Sequence, residues 1–314
     1  MSFAVSVIIP VYNAEQFIEK AIDSALMFTE VNEVVVINDG STDSSLELLL
    51  KLQEKDARIK IYHHKGAVNR GRSASRNLGI LQAKSDYISF LDADDFYLKN
   101  RFQKDMELLR NKEIDGCYNA VGFHFYRLGK MEESHHFKIS TLKNSVPPEE
   151  LFENIVTSRL GYLHLNGLTI KKEALEKIGC FNEDLEVAED TDLIFKLAMT
   201  YKLAASLIEE EVAKRGIHAN NIFNQDHVYQ TFVPLLFESL VGWVLENRLK
   251  FIYVDHLMNA LWIHRFRTSQ SLVKDTFYWL GLQMRLPKLC LTILPIKYFP
   301  IIRKRKQLFS FLYR

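Results

Sequence analysis

The 314-residue sequence is poor in cysteine, with only Cys117, Cys180 and Cys290. They make neither an even set nor a CxxC pair. A disulfide framework and a zinc knuckle are thereby excluded, and a reducing compartment, the cytoplasm by default, is expected. No uninterrupted apolar run reaches the roughly 18 residues that a spanning helix needs. The opening MSFAVSVIIPVYN has no basic stretch before its apolar run and reads as a strand rather than a leader. Internal repeats and low-complexity segments are lacking. An excess of one charge is lacking too: 40 Lys and Arg face 39 Asp and Glu, in a chain that is 47% apolar and 25% charged. That balance excludes disorder, collagen and a general coat for nucleic acid. The length suggests two domains at roughly 150 residues each.

The balance conceals an asymmetry. Arg285, Lys288, Lys297, Arg303, Lys304, Arg305, Lys306 and Arg314 put +8 into the last 30 residues without one carboxylate, which leaves −7 for the remainder. A mildly acidic body with a basic, aromatic tail suits work at an anionic surface.

The apolar runs Val5–Pro10, Val34–Ile37, Ile59–Tyr62 and Tyr87–Leu91 have strand length and β-branched content. Between them lie helical patterns through Phe17–Leu26, Ser44–Leu52 and Ser73–Ala83. This alternation predicts an α/β fold, a parallel sheet with helices on both faces. Such a sheet binds ligands beyond the carboxyl ends of its strands. Tyr12 and Asn13 follow the first strand, Asp39 the second, and Asp92, Asp94 and Asp95 the fourth, so they are expected on one rim. Farther along, Asp115–Tyr126 and His136–Ser140 read as strands of a smaller mixed sheet, and Pro147-Pro148-Glu149-Glu150 as a helix start. Lys172–Ile178, Asp190–Tyr201, Val233–Leu245 and Phe251–His264 read as helices.

Four segments carry chemistry. Asp92-Ala93-Asp94-Asp95 is a DxD motif after a strand. Its carboxylates suit a divalent Mg2+ or Mn2+ ion that substrate phosphates complete, and suit equally a turn or helix cap. In Asn38-Asp39-Gly40-Ser41-Thr42-Asp43, Asp39 could accept the imide hydrogen of uracil, and an Asx turn also fits. Asn69–Gly79 brings a glycine and several arginines to a helix start, where amides and guanidinium groups suit phosphate oxygens. Glu189-Asp190-Thr191-Asp192 opens an amphipathic helix, a place the dipole favours for acids. The adjacent pairs His63-His64 and His135-His136 make poor metal sites, because neighbours on a strand point to opposite faces.

As an ordered set these segments resemble the inverting family-2 glycosyltransferases of bacterial surface-polysaccharide type, which have the GT-A fold. The matching residues are Val5–Asn13, Asp39–Asp43, Asn69–Gly79 with its Arg76-Asn77 pair, Asp92–Asp95, Gly179–Glu183 and Glu189-Asp190. The likeness covers about residues 3 to 220. It implies a Rossmann-like mixed sheet flanked by helices, in a catalytic domain over 1–224. Residues 1–100 would bind the nucleotide and 101–224 the acceptor, followed by a helical region, 225–314, with the basic aromatic tail. Residue by residue, it implies that Pro10 and Tyr12 line the base, Asp39 binds uracil, Arg76 supports the nucleotide or diphosphate, and Asp92 lies near the ribose. Asp94 would bind the metal, Asp190 would be the catalytic base, and Glu189 would line the acceptor side or support Asp190. His218 resembles a late histidine of many relatives that approaches the metal, although a solitary histidine also serves structure. Asn38 departs from the pattern, since many relatives carry a second aspartate there.

The implied reaction moves a sugar from a nucleotide sugar, UDP-linked by expectation, to a hydroxyl of a glycan or lipid-linked acceptor, with Mn2+ or Mg2+. Polysaccharide or lipopolysaccharide synthesis is the implied setting. A nucleotidyltransferase would need a glycine-rich, basic phosphate loop after the first strand, which Asn13-Ala14-Glu15-Gln16 is not. An inactive sugar-nucleotide-binding module is the other alternative. For the tail, Pro287, Pro295 and Pro300 break any long helix. Its apolar residues beside Arg303–Lys306 fit peripheral binding to an anionic membrane. Packing of Trp279, Leu282, Phe299 and Phe311 on the protein or in a homodimer also fits. No nucleic-acid partner is expected.

Overall fold

The computed structural model describes residues 3–127, 139–219, 221, 226–266, 269 and 271–308. They form two compact units, Met1–Asn224 and Gln225–Arg314.

In the first unit the chain runs β1 (Val5–Val11), α1 (Ile18–Leu26), β2 (Val31–Asn38), α2 (Ser45–Lys55), β3 (Ile59–His63), α3 (Arg72–Gln82) and β4 (Tyr87–Phe90). The apolar, β-branched composition of β1 and β2 has a direct cause. Val5, Val7, Ile8, Ile9, Val34, Val35 and Val36 are fully buried because helices cover both faces of the sheet. Then come β5 (Phe96–Tyr97), α4 (Gln103–Leu108), β6 (Gly116–Tyr118), β7 (Ala120–Phe125), α5 (Leu151–Val156), β8 (Leu168–Lys171), α6 (Lys172–Lys177), α7 (Glu189–Thr200), β9 (Leu203–Ala205) and β10 (Glu211–Ile217).

The large sheet has seven strands in the order β3-β2-β1-β4-β8-β6-β9. The four strands read from sequence are parallel, with Val7 beside Val34 and Ser89. β8 runs antiparallel to β4 and β6, so the sheet is mixed rather than parallel throughout. The small sheet, β5-β10-β7, is mixed as expected but differently composed. The predicted strand Asp115–Tyr126 divides at Asn119: its first half joins the large sheet and its second half the small one. Of the predicted His136–Ser140 strand, residues 136–138 lie outside the described residues, and Ser140 forms an antiparallel bridge to Val121.

The order β3-β2-β1-β4 reverses direction at β1, which opens a crevice beyond the carboxyl ends of β1 and β4. A buried ion pair braces the far side of β4. Arg101, fully buried, donates to Asp105 at 2.7 Å, to Ser89 at 2.6 Å and to the Leu168 carbonyl at 2.9 Å. Asp105 also accepts from Thr169 and Asn119. Nothing in the sequence pattern marked these residues.

The second unit contains α8 (Asp226–Glu246), α9 (Phe251–Phe266) and α10 (Leu272–Arg285). Among the described residues, His227–Glu246 is the one stretch long and apolar enough to cross a membrane by length and composition. Leu236, Leu240, Val241 and Val244 of it are buried within the unit. Pro287, Pro295 and Pro300 each stand at the start of a short helical turn, the segmentation the prolines predict. The basic run is less free than its sequence suggests. Lys304 is buried and paired with Asp275 at 2.7 Å, Lys297 pairs with Asp255, Arg285 with Glu238, and Arg303 donates to Asn259. Trp279 and Leu282 are buried, which for them favours packing over lipid contact. Phe311 lies outside the described residues. All three cysteines are free.

Candidate active site

The rim begins where β1 and β2 end. Pro10 pairs in register with Ile37, and Tyr12 stands 52% exposed beyond it. Asn13, in left-handed conformation, accepts from the Thr42 amide at 2.8 Å. Asn38 accepts from the Ser41 amide, and Asp43 accepts from the amides of Glu15 and Ser45. The turn reading thus holds for Asn38 and Asp43. Asp39 differs. It is buried, with its carboxylate accepting from the amides of Arg70 at 2.7 Å and Gly71 at 2.9 Å. His64 stands 3.5 Å from the same carboxylate and bonds Ser75. The loop ahead of α3 therefore folds over the end of β2. Gly40 permits the approach: its φ is +72°, and a Cβ there would lie 2.8 Å from the Asn69 nitrogen.

Helix α3 carries the link between the two halves of the site. Arg76, almost wholly buried, donates to Asp92 at 2.6 Å and to Glu189 at 2.8 Å. Arg72 also donates to Glu189, and to the Glu186 carbonyl at 2.7 Å. Asn77 holds the approach to α7 through the Phe181 backbone. Desolvation works to raise the Asp92 carboxyl, but the Arg76 guanidinium outweighs it and holds the group at about 2. Burial raises Glu189 despite Arg72 and Arg76. Arg76 was expected to face the nucleotide. Both of its terminal nitrogens donate to carboxylates, one to Asp92 and one to Glu189.

Two residues beyond Asp92, Asp94 Oδ2 lies 2.8 Å from His218 Nε2, and Asn221 Nδ2 is 3.3 Å from the same oxygen. The His218 ring stacks on Phe17 at 5.1 Å between centroids. Behind it, Tyr126 packs on Phe17, and burial with Asp95 and Asp94 raises its hydroxyl to about 12. Asp95 is a correction to the shared rim. It turns inward, buried, accepting from Asn166 and from the Gly216 amide at 2.7 Å. Burial, then Asp94 and Asp92, push its carboxyl well up.

Asp190, in the first turn of α7, is half-buried and accepts from the Thr191 amide at 2.7 Å. The sequence reading missed its neighbour His164. The buried His164 Nδ1 accepts from the Asn166 amide at 3.2 Å, which leaves the proton of the neutral ring on Nε2. Burial and then Arg215 lower this imidazole to about 4, against the pull of Asp92 and Asp190. One buried ring therefore feels both the carboxylate at the end of β4 and the one at the start of α7.

The donor chemistry fits a divalent cation. A carboxylate and an imidazole converge at Asp94 and His218, a set compatible with Mn2+, while Mg2+ prefers oxygen alone. Among the described residues no group of three or more His, Cys, Asp or Glu gathers for a metal, so a ligand would have to complete the coordination.

Residues 6–179 match the family model described as glycosyl transferase family 2, more than half of the chain. The chain belongs to this family. Among its relatives, the uncharacterized glycosyltransferase EpsJ of Bacillus subtilis is 32% identical over 201 residues, covering 60% of this chain and 54% of EpsJ. The uncharacterized glycosyltransferase RP339 of Rickettsia prowazekii is 30% identical over 232 residues, covering 72% and 69%. The chain thus spans about half the length of EpsJ, and 24% of glycosyltransferase GlyA of Streptococcus pneumoniae, with which it shares 32% identity over 51% of its own length. Staphylococcus aureus TarS 1-349 in complex with UDP-GlcNAc shares the fold, with a TM-score of 0.66 at 18% identity over 97% of this chain and 92% of that one. The mannosyltransferase PcManGT of Pyrobaculum calidifontis, in complex with GDP-Man and Mn2+, does so with a TM-score of 0.55 at 17% identity, over 98% and 87%. The family-2 chain has the GT-A fold these structures share.

His164, Asn221 and Tyr126 are the additions that this family-2 site makes to the sequence reading. A lone histidine between two leucines has no spacing to betray it. Asn221 and Tyr126 stand near polar segments, but only the β7–β10 pairing brings them to Asp94.

Proposed function

We propose that the protein is a metal-dependent inverting glycosyltransferase that takes a sugar from a UDP-sugar and gives it to a hydroxyl of a glycan or lipid-linked acceptor. The observation that carries this is the Arg76 bridge. It joins Asp92, two residues before Asp94, to Glu189, immediately before Asp190. The two proposed halves of the reaction, departure of the diphosphate and deprotonation of the acceptor, would thereby be tied to each other.

Asp94 and His218 would hold Mn2+ or Mg2+, and the cation would stabilise negative charge on the departing diphosphate. Asp190 takes the proton from the acceptor hydroxyl as it attacks. Attack opposite the leaving group inverts the anomeric centre, so an α-linked donor gives a β-glycoside. Asp39 keeps lone pairs beyond those given to the Arg70 and Gly71 amides, and a uracil imide N–H can use one. Pro10 and Tyr12 form the wall beside the base. Arg76 acts through Asp92 and Glu189 rather than on the phosphates. Glu189, committed to Arg72 and Arg76, sets the start of α7 and so the place of Asp190. The TarS structure with UDP-GlcNAc supports a UDP-sugar donor.

Residues 1–100 are assigned to the nucleotide and 101–224 to the acceptor. The basic region 225–314 is assigned to the cytoplasmic face of an anionic membrane, where a lipid-linked acceptor in surface-polysaccharide assembly would be met. A panel of nucleotide sugars, scored for cation-dependent release of the nucleotide, tests the reading. UDP-sugars should turn over with Mn2+ or Mg2+ and stop with chelator. Binding with no release from any donor or acceptor would leave a sugar-nucleotide-binding module instead.

A further inference from the structure

Helix α10 buries one face and leaves an apolar stripe on the other. Asp275, Trp279 and Leu282 are buried within the C-terminal unit, whereas Val273, Phe277, Leu280 and Met284 are 66%, 71%, 50% and 79% exposed. These four recur at intervals of four, three and four residues, which aligns them along one side of the helix for about 16 Å at 1.5 Å per residue. Beyond Pro287 the chain goes on exposing large apolar side chains, with Leu291, Ile293 and Ile296 each at least 60% exposed. Scattered exposed apolar residues need no explanation, but a continuous line of them does.

The charges along the stripe that have no partner are of one sign. No Asp or Glu occurs after Asp275, and Asp275 is buried against Lys304. Arg285, Lys297 and Lys304 are held by Glu238, Asp255 and Asp275. Lys274, Lys288 and Lys306 are exposed and have no carboxylate partner among the described residues. Two copies of this face brought together about a two-fold axis would set cation against cation, with no exposed carboxylate from this stretch to offset them. An anionic bilayer supplies both things the face lacks: phosphate oxygens at headgroup level and hydrocarbon just beneath.

We propose that α10 is an interfacial helix, with Val273, Phe277, Leu280 and Met284 entering the acyl boundary of an anionic bilayer and Lys274 and Lys288 meeting headgroup phosphates. The proposal deepens, and rests on, the reading of this chain as an enzyme of an anionic membrane. It moves the weight of binding from the Arg303–Lys306 cluster, in which Arg303, Lys304 and Arg305 are bonded within the unit, to an exposed apolar stripe.

Flotation of the full chain with phosphatidylcholine vesicles, with and without phosphatidylglycerol, tests this. The protein should float with the anionic vesicles. Phe277→Gln combined with Met284→Gln, both at exposed positions, should weaken partition at least about tenfold with an unchanged melting temperature. Lys274→Gln with Lys288→Gln should weaken it several-fold and flatten its salt dependence. A wild-type chain that stays below the vesicles overturns the proposal. So does partition that survives loss of Phe277 and Met284, whether because the Arg303–Lys306 cluster carries it alone or because the same variant only turns a dimer into a monomer in sedimentation velocity. Nucleotide release without vesicles is measured alongside. No turnover in the wild type would count against the catalytic reading alone, and lost flotation with intact turnover counts only against α10.

Discussion

Asp94 and His218, 124 residues apart in sequence, meet with Oδ2 2.8 Å from Nε2 on the crevice side of the first unit. A carboxylate oxygen and an imidazole nitrogen at that separation can share one cation. Asp94→Ala should abolish the Mn2+ dependence of UDP binding in calorimetry, and His218→Ala should weaken it at least about tenfold, no less than the loss of a group that only orients a ligand. Undiminished Mn2+-dependent affinity in both variants would remove the pair from the metal.

Asp190→Asn keeps size and hydrogen bonding to the Thr191 amide but gives up basicity. Turnover should fall by about 10²–10⁴-fold, the usual contribution of a positioned general base, while UDP affinity stays the same. Equal rates would take the proton away from Asp190.

Arg76→Met leaves Glu189 buried, with Arg72 as its remaining cation, and frees Asp92. Removing one partner of a buried ion pair costs about 3–5 kcal/mol, which urea unfolding measures. The double variant with Glu189→Gln should recover part of the loss, because no uncompensated charge then remains inside. A change below about 1 kcal/mol, the range of exposed pairs, would mean that the bridge is not buried in solution.

Stability should fall in two steps on acidification. His164 has a folded value lowered to about 4 from 6.5, so the unfolded chain binds the proton first and stability drops between about pH 6.5 and 4. Asp92 is held at about 2 against an ordinary 3.8, so its contribution is full above about pH 4 and is lost as pH approaches 2. His164→Gln should flatten the first step in pH-dependent denaturation curves and leave the second. An unchanged first step would show that another group carries it.

Gly216→Ala should harm the metal side without touching a ligand. A Cβ at Gly216 would overlap the Asp94 carbonyl oxygen and come within 2.7 Å of the Tyr126 ring. Overpacking of this kind costs about 1–3 kcal/mol, and the displaced Asp94 should bind Mn2+ and UDP more weakly. Wild-type affinity together with wild-type melting would show that β10 yields there without strain.

The strands β1, β2 and β4 were legible because strands buried on both faces must be nearly continuous in apolar residues, and the edge strand β3 through its alternation of Ile59 and Ile61 with polar Lys60. β8 and β9, four and three residues long, were not. β10 mixes Glu211, Lys214 and Arg215 with its apolar residues and so lacked the signal of a buried strand. The acidic segments were legible as a set, but their directions were not. Asp95 stands in the same loop as Asp92 and Asp94, yet it turns into the protein onto the Gly216 amide, and Asp39 takes up the Arg70 and Gly71 amides of the loop ahead of α3.

The sequence by itself determined the α/β alternation, the family and the division of charge between the acidic body and the basic end, since each is written in residues close along the chain. Only the tertiary structure decided that Arg76 grips two carboxylates, that the buried His164 feels Asp92 and Asp190, and that Lys304 is buried. The reason is the same in each case. Where a charge ends up depends on which partners the folded chain brings near it, and those partners are distant in sequence, 113 residues for Arg76 and Glu189 and 29 for Lys304 and Asp275.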